Sequence, residues 1–179
     1  ETEISDGVVF EGNEIYLKTD AQYIFRGHDT KDWNIRNNKV YSLGGVCLTH
    51  ITEVRGDIQE LIIDGNEFID NLTRPLISVY NTGVKLSNLK VINNTFINQS
   101  HRLMSLVNIE YPVDRVMICN NRIETSFEDA IYIYPSIGKL MITNNYIQCG
   151  EGGTPIKNKG TLGEGNEIIE NNFEVISSS

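Results

Sequence analysis

Nowhere in its 179 residues does the chain keep a 3.6-residue apolar period over three helical turns, which excludes packed helices as the body of the fold. It also lacks any apolar run long enough to cross a bilayer and any signal-like stretch near its start, so no membrane insertion is expected. Cysteine is scarce. Cys47, Cys119 and Cys149 are an odd number with neither CxxC nor metal-ligand spacing, which excludes a disulfide framework. Positive charge is short as well: 15 Lys and Arg stand against 24 Asp and Glu, a net charge of −9 and a pI near 4.8. Such a surface repels nucleic acid and anionic membranes at long range and leaves neutral or mixed-charge glycans as compatible partners. Signature motifs are missing too, with no HxxxH, GxSxG, phosphate-binding glycine loop, EF-hand loop or DxD spacing. No cofactor or metal is therefore predicted, although the sequence leaves Ca²⁺ bridging between coils open.

What is present is repetition. The pattern apolar, any, apolar, any, Gly/Asn, Asn, any, apolar occurs as VVFEGNEI from Val8, WNIRNNKV from Trp33, LIIDGNEF from Leu61 and LKVINNTF from Leu89. It continues as VMICNNRI from Val116, LMITNNYI from Leu140 and a degenerate TLGEGNEI from Thr161. The anchors are Asn13, Asn38, Asn66, Asn94, Asn121, Asn145 and Asn166, spaced by 25, 28, 28, 27, 24 and 21 residues, with Asn172 in the restarted motif IIENNFEVI (Ile168–Ile176) the alternative seventh corner. A period in the twenties is that of a solenoid, whose repeats bury their apolar faces only against one another.

Leucine-rich repeats share the period but need a leucine ladder and a helical or 3₁₀ return, and neither is here. Between anchors lie further short apolar runs, GGVCLTHI (Gly44–Ile51), PLISVY (Pro75–Tyr80), LMSLVNI (Leu103–Ile109) and AIYIY (Ala130–Tyr134). Runs of this length, rich in Val, Ile and Tyr and bounded by Gly, Asn and Pro, are strands. The expected fold is all-β: a single-stranded, right-handed parallel β-helix of about seven coils with two or three strands per coil. Each anchor asparagine would sit where the chain bends between sheets, at a left-handed backbone angle, as would the preceding Gly65, Asn93, Asn120 and Asn144. Stacked one strand spacing apart, the anchor amides would form a hydrogen-bonded ladder.

The xIxNNxF coil resembles the parallel β-helix of the pectate-lyase-like superfamily, which holds polysaccharide lyases and hydrolases together with bacteriophage tailspikes and tail fibres. The likeness covers nearly the whole chain and is specific for fold rather than function. It implies an extracellular or virion-surface protein that contacts bacterial surface polysaccharide and, as in phage fibres, a homotrimer. The alternative it implies is a polysaccharide lyase or glycoside hydrolase domain. Free cysteines suit a protein that folds in a reducing cytoplasm and acts outside the cell.

Residues 1–179 read as one β-helix domain, with a first coil and N-terminal cap over residues 1–32 and an irregular last coil and tail over residues 150–179. Seven coils at the spacing of paired strands make a rod only about 34 Å long, so the chain reads as a piece of a larger protein. In the later apolar runs alternate residues such as Ile131, Ile133 and Tyr132, Tyr134 leave both strand faces apolar. One face fills the lumen, and the other needs a cover such as a neighbouring subunit.

Chemistry is sparser. A glycosidase needs two carboxyl groups about 5 to 10 Å apart, and Asp29, Asp57 and Asp114 are the candidate catalytic residues among many loop acids. Trp33, Tyr80, Tyr111, Tyr132 and Tyr134, in or beside strand ends, are the candidate sugar platform, since aromatic faces with nearby polar groups suit pyranose rings.

Overall fold

A computed structural model of the chain describes residues 7–28, 31–45, 47–55, 57–70, 77–79, 86–98, 107–109, 112–125, 129–134 and 136–176. Each circuit lays down up to three short strands. The first rung is β1 (Val8–Glu11), β2 (Glu14–Leu17) and β3 (Ala21–His28), and the second is β4 (Asp32–Arg36), β5 (Lys39–Ser42) and β6 (Cys47–Arg55). The third holds β7 (Ile58–Asp64), β8 (Glu67–Ile69) and β9 (Ile77–Val79), the fourth β10 (Leu86–Ile92), β11 (Thr95–Asn98) and β12 (Val107–Ile109). The fifth holds β13 (Val113–Cys119), β14 (Arg122–Thr125) and β15 (Ile131–Ile133), the sixth β16 (Ile137–Thr143), β17 (Tyr146–Gly150) and β18 (Ile156–Asn158). The strands β19 (Glu167–Ile169) and β20 (Asn172–Ile176) complete the series, and no helix occurs among the described residues.

All pairing among the described residues is parallel, and the order makes a β-solenoid. One face is β1-β4-β7-β10-β13-β16-β19, the second is β2-β5-β8-β11-β14-β17-β20, and the third is split into β3-β6-β9 and β12-β15-β18. Complete three-sided turns are therefore fewer than the seven that the anchors suggest, because the third face is interrupted and the last rung has two strands. The excursion from Glu14 to Trp33, read from sequence as partly a cap, is mostly the two strands β2 and β3.

Period-2 alternation decides what fills the lumen. Ile35, Ile63, Val91, Ile118 and Ile142 lie in register on successive rungs, all fully buried. A second buried column runs Val40, Phe68, Phe96, Ile123, Ile147, in which the Phe68 and Phe96 rings stack at 5.3 Å and 3°. Near the first rung Phe10 packs on Phe25 and Trp33 at 5.3 and 6.1 Å between ring centres. Each such side chain contributes about 1.5 to 3 kcal/mol by leaving water.

Beside this lumen runs the asparagine ladder. In each step from Asn13 through Asn38, Asn66, Asn94, Asn121 and Asn145 to Asn171, the backbone N–H of one asparagine donates to the Oδ1 of the next at 2.9 to 3.1 Å. Its Nδ2 donates to the same oxygen at 2.8 to 3.1 Å. The other Nδ2 hydrogen of each successor reaches back to a carbonyl of the preceding rung, as from Asn66 to Ile35 and from Asn94 to Ile63, both at 2.8 Å. Asn38, Asn66, Asn94, Asn121 and Asn145 are 0 to 2 % exposed. Burial of these amides costs little because both donors and both acceptor sites are used.

Two expectations about the corner are corrected. The left-handed residue is the one before the anchor, at Gly12, Asn37, Gly65, Asn93, Asn120, Asn144 and Glu170 with φ between 54° and 68°, and the ladder asparagine itself is not left-handed. One residue must turn the chain through this region, and the next can then point its amide along the axis. Second, the seventh ladder position is Asn171, neither Asn166 nor Asn172. The pairing of Met141 with Glu167 puts Asn166 beside Leu140, whose N–H its Oδ1 accepts at 2.6 Å, so Asn166 leads into β19 and Glu170–Asn171 form the corner. The true last spacing is 26 residues.

Ile63→Asp or Val91→Asp will unfold the solenoid, since each puts an unpaired carboxylate into a dry lumen; far-UV circular dichroism reads the loss. Asn94→Ala will cost about 2 to 4 kcal/mol in urea titration, because it strips the acceptor from the buried Asn66 N–H, whereas Asn13→Ala, at the exposed end, will cost about 1 kcal/mol or less. Glu170→Asn will raise stability by about 0.5 to 1 kcal/mol, because a glutamate at φ 55° bears a Cβ strain that asparagine tolerates better.

Candidate functional site

The strand β15 settles which of its faces looks outward. Ile131 and Ile133 are fully buried, and Tyr132 and Tyr134 project from the third face, Tyr134 with 61 % of its surface exposed. Tyr134 lies just past the end of β15, two residues from Tyr132, and the two rings stand 6.4 Å apart at 14°. The Lys159 ammonium lies 5.9 Å from the centre of the Tyr132 ring, within range of a cation–π attraction. On the next rung Lys157 is in register with Tyr132, and its Nζ donates to Asp129 Oδ2 at 2.8 Å. Asp129 is 6 % exposed and also accepts the Thr154 N–H at 3.4 Å, so the acid is tied down from two sides. The result is a pair of stacked aromatic rings with a cation over one of them, beside a polar clamp that ties Asp129 to β18.

Of the other platform candidates, Trp33 is corrected: it is 1 % exposed and packs in the lumen, where its ring cannot meet a sugar. Tyr80, Tyr111 and Asp29 lie outside the described residues. Asp57 and Asp114 are both exposed. They belong to the third and fifth rungs, on either side of the column Ile58, Leu86, Val113. Two strand spacings put them about 10 Å apart along the axis, at the far edge of the separations that inverting glycosidases use. No group of three or more His, Cys, Asp or Glu suited to a metal ion occurs among the described residues.

Burial pushes the thiols of Cys119 and Cys149 above their ordinary pKa, with the charge of Asp129 adding to the effect at Cys149. A raised thiol is the reverse of an activated nucleophile.

A second aromatic pair escaped the sequence reading. On the second face Tyr16 and Tyr41 are in register on adjacent rungs, their rings 5.7 Å apart at 27°. The Tyr16 O–H donates to Glu14 at 3.3 Å and the Tyr41 O–H to Glu67 at 3.2 Å. The Tyr16 phenol is raised above its usual pKa chiefly by the Glu14 charge, the Tyr41 phenol chiefly by desolvation and then by its bond to Glu67. Both therefore stay protonated donors at neutral pH. The signal was available: each tyrosine sits three residues after its anchor, and equal offsets on neighbouring rungs become contacts.

Fold and surface together define a parallel β-solenoid that carries stacked tyrosines on two of its outer faces. Comparison with models of known protein families, with curated proteins and with solved structures gives no match.

Proposed function

We propose that the chain is a structural, receptor-binding β-helix module of a phage tail fibre or tailspike, acting at the virion surface, where it contacts bacterial surface glycans. The observation that carries this reading is the Tyr132–Tyr134 pair with the Lys159 ammonium over the Tyr132 ring. A pyranose presents an apolar C–H face and a rim of hydroxyls, which match an aromatic face and a neighbouring donor. A solenoid suits the task because its surface is held by backbone pairing on every rung and needs little ordering on binding. A homotrimer belongs to the same reading, with the Tyr132–Tyr134 surface left open to solvent.

Binding of oligosaccharides prepared from bacterial surface polysaccharides, followed by calorimetry or a glycan array, tests it. Tyr134→Ala will weaken binding about tenfold, as loss of an aromatic contact does at other interfaces, without changing the melting temperature, because Tyr134 is exposed. Light scattering will report three chains per particle. Failure to bind any glycan, or a monomer at high concentration, overturns the reading, and release of new reducing ends or unsaturated sugars would replace it with a lyase or hydrolase.

A further inference from the structure

Within the rod each rung is covered by the one after it, and the last rung has no successor among the described residues. Ile168, Phe173 and Val175 continue the columns of Ile142, Ile147 and Cys149. They are 43, 53 and 52 % exposed, where those three are fully buried. Among the described residues β19 and β20 are hydrogen-bonded on one side only, as are β1 and β2 at the opposite end. There Val8, Phe10 and Ile15 pack on the core and stay half-buried. Unpaired strand edges beside open apolar positions are templates for a further strand.

The asparagine ladder gives the two ends opposite polarity. Each ladder N–H points to the Oδ1 of the next asparagine in chain order, and Asn171 ends the series. Its oxygen accepts from Asn145, its Nδ2 turns back to Ile142 and Ile169, and its backbone N–H has no partner among the described residues. Asn13 begins the series with its N–H and Nδ2 spent on Asn38 and Glu11, while its own Oδ1 accepts no hydrogen bond among the described residues. One end lacks an acceptor and the other lacks a donor.

We infer that the last rung of one molecule seats the first rung of a second copy, the Asn171 N–H donating to the copy's Asn13 Oδ1, so that molecules stack head to tail along the solenoid axis. With the internal register kept, Ile168 meets Phe10 and Phe173 meets Ile15, each in the column it already belongs to. On the outer side Glu167 falls beside Val9, Ile169 beside Glu11, Asn172 beside Glu14 and Glu174 beside Tyr16, so no carboxylate directly faces another. The other pairings of ends fail. Two last rungs face to face set N–H against N–H and crowd Glu167, Glu170 and Glu174 together, with no Lys or Arg after Lys159 to offset them. Two first rungs set acceptor against acceptor, with Glu11 and Glu14 on each side. The head-to-tail joint is continuous with the contact that β16 makes with β19 and β17 with β20. A joint between unlike ends along one axis does not close, so it propagates as a filament. It is independent of glycan binding and of the lateral contacts of a trimer.

Sedimentation velocity of the 179-residue chain over a concentration series tests it. Mass will grow with concentration in whole multiples of the particle seen at high dilution. Phe173→Asp will raise the concentration needed about tenfold or more, since it puts a carboxylate into the apolar part of the joint. The exposed pair Glu14 and Asn172 gives a readout that leaves the lumen untouched. When Glu14→Cys and Asn172→Cys proteins are mixed and oxidised, a disulfide will link them, because paired strands lie about 4.8 Å apart, within the Cα separation that a disulfide spans. Neither variant alone, nor the wild type with its native thiols, will cross-link. A constant mass at every concentration, which leaves the end to a cap of another kind, overturns the inference. So does growth that Phe173→Asp leaves unchanged, or cross-linking of either single variant with itself in place of the mixed pair.

Discussion

The structure depends on one constraint, the superposition of an asparagine amide on an identical amide one rung away. An amide offers two donors and two acceptor sites, and at the interior positions the ladder uses all of them. Aspartate would lack the donors, and glutamine is one methylene too long to keep its group at that distance from its own backbone. Superposition forces each circuit to return to the same corner, although the spacing between anchors varies from 24 to 28 residues. The variation is absorbed where the ladder is remote. The two faces that flank it run unbroken through seven strands, and the third divides into two blocks.

A molecule built this way has a surface made of columns. Residues some 25 positions apart in the chain become neighbours at one strand spacing, and a property shared by equivalent positions becomes a stripe. Tyr16 over Tyr41 is such a stripe, as are Arg115 beside Lys139 and Met117 beside Met141. Along one rung, residues two apart add a second kind of neighbour, which sets Tyr132 beside Tyr134. The same register that stacks Ile63, Val91 and Ile118 inside therefore positions the groups outside, so lumen packing and surface recognition are not independent. Net charge shows how much this sorting matters. The chain is acidic overall, yet one column of the first face gathers Arg115 and Lys139 with no carboxylate paired to either among the described residues.

The fold was legible because its signal recurs. Any one NN or GN pair reads equally well as a hairpin turn, but apolar residues at fixed offsets on both sides of each pair imply stacking. Legibility failed where the pattern frays. Between Gly152 and Gly165 glycines supply extra turns, and TLGEGNEI matches the motif closely enough to nominate Asn166, although its place is just ahead of β19, beside Leu140. The placement of Trp33 was in principle readable, since it opens its repeat at the slot that Leu61, Leu89, Val116 and Leu140 fill, all of which face the lumen. Of the five platform candidates the fold joins Tyr132 and Tyr134, and for the acidic candidates it sets Asp57 and Asp114 two rungs apart.

By itself the sequence determined the class: β-branched runs of alternating polarity, asparagine at a constant offset and the absence of any helical period leave a parallel solenoid as the arrangement that buries the apolar positions and satisfies the buried amides. Only the tertiary structure decided which residue turns left-handed, which asparagine completes the ladder, and which outward side chains meet. These are matters of register, and register depends on how many residues each excursion spends before the chain regains its corner. The local pattern does not encode that length; the packing of one rung on the next selects it.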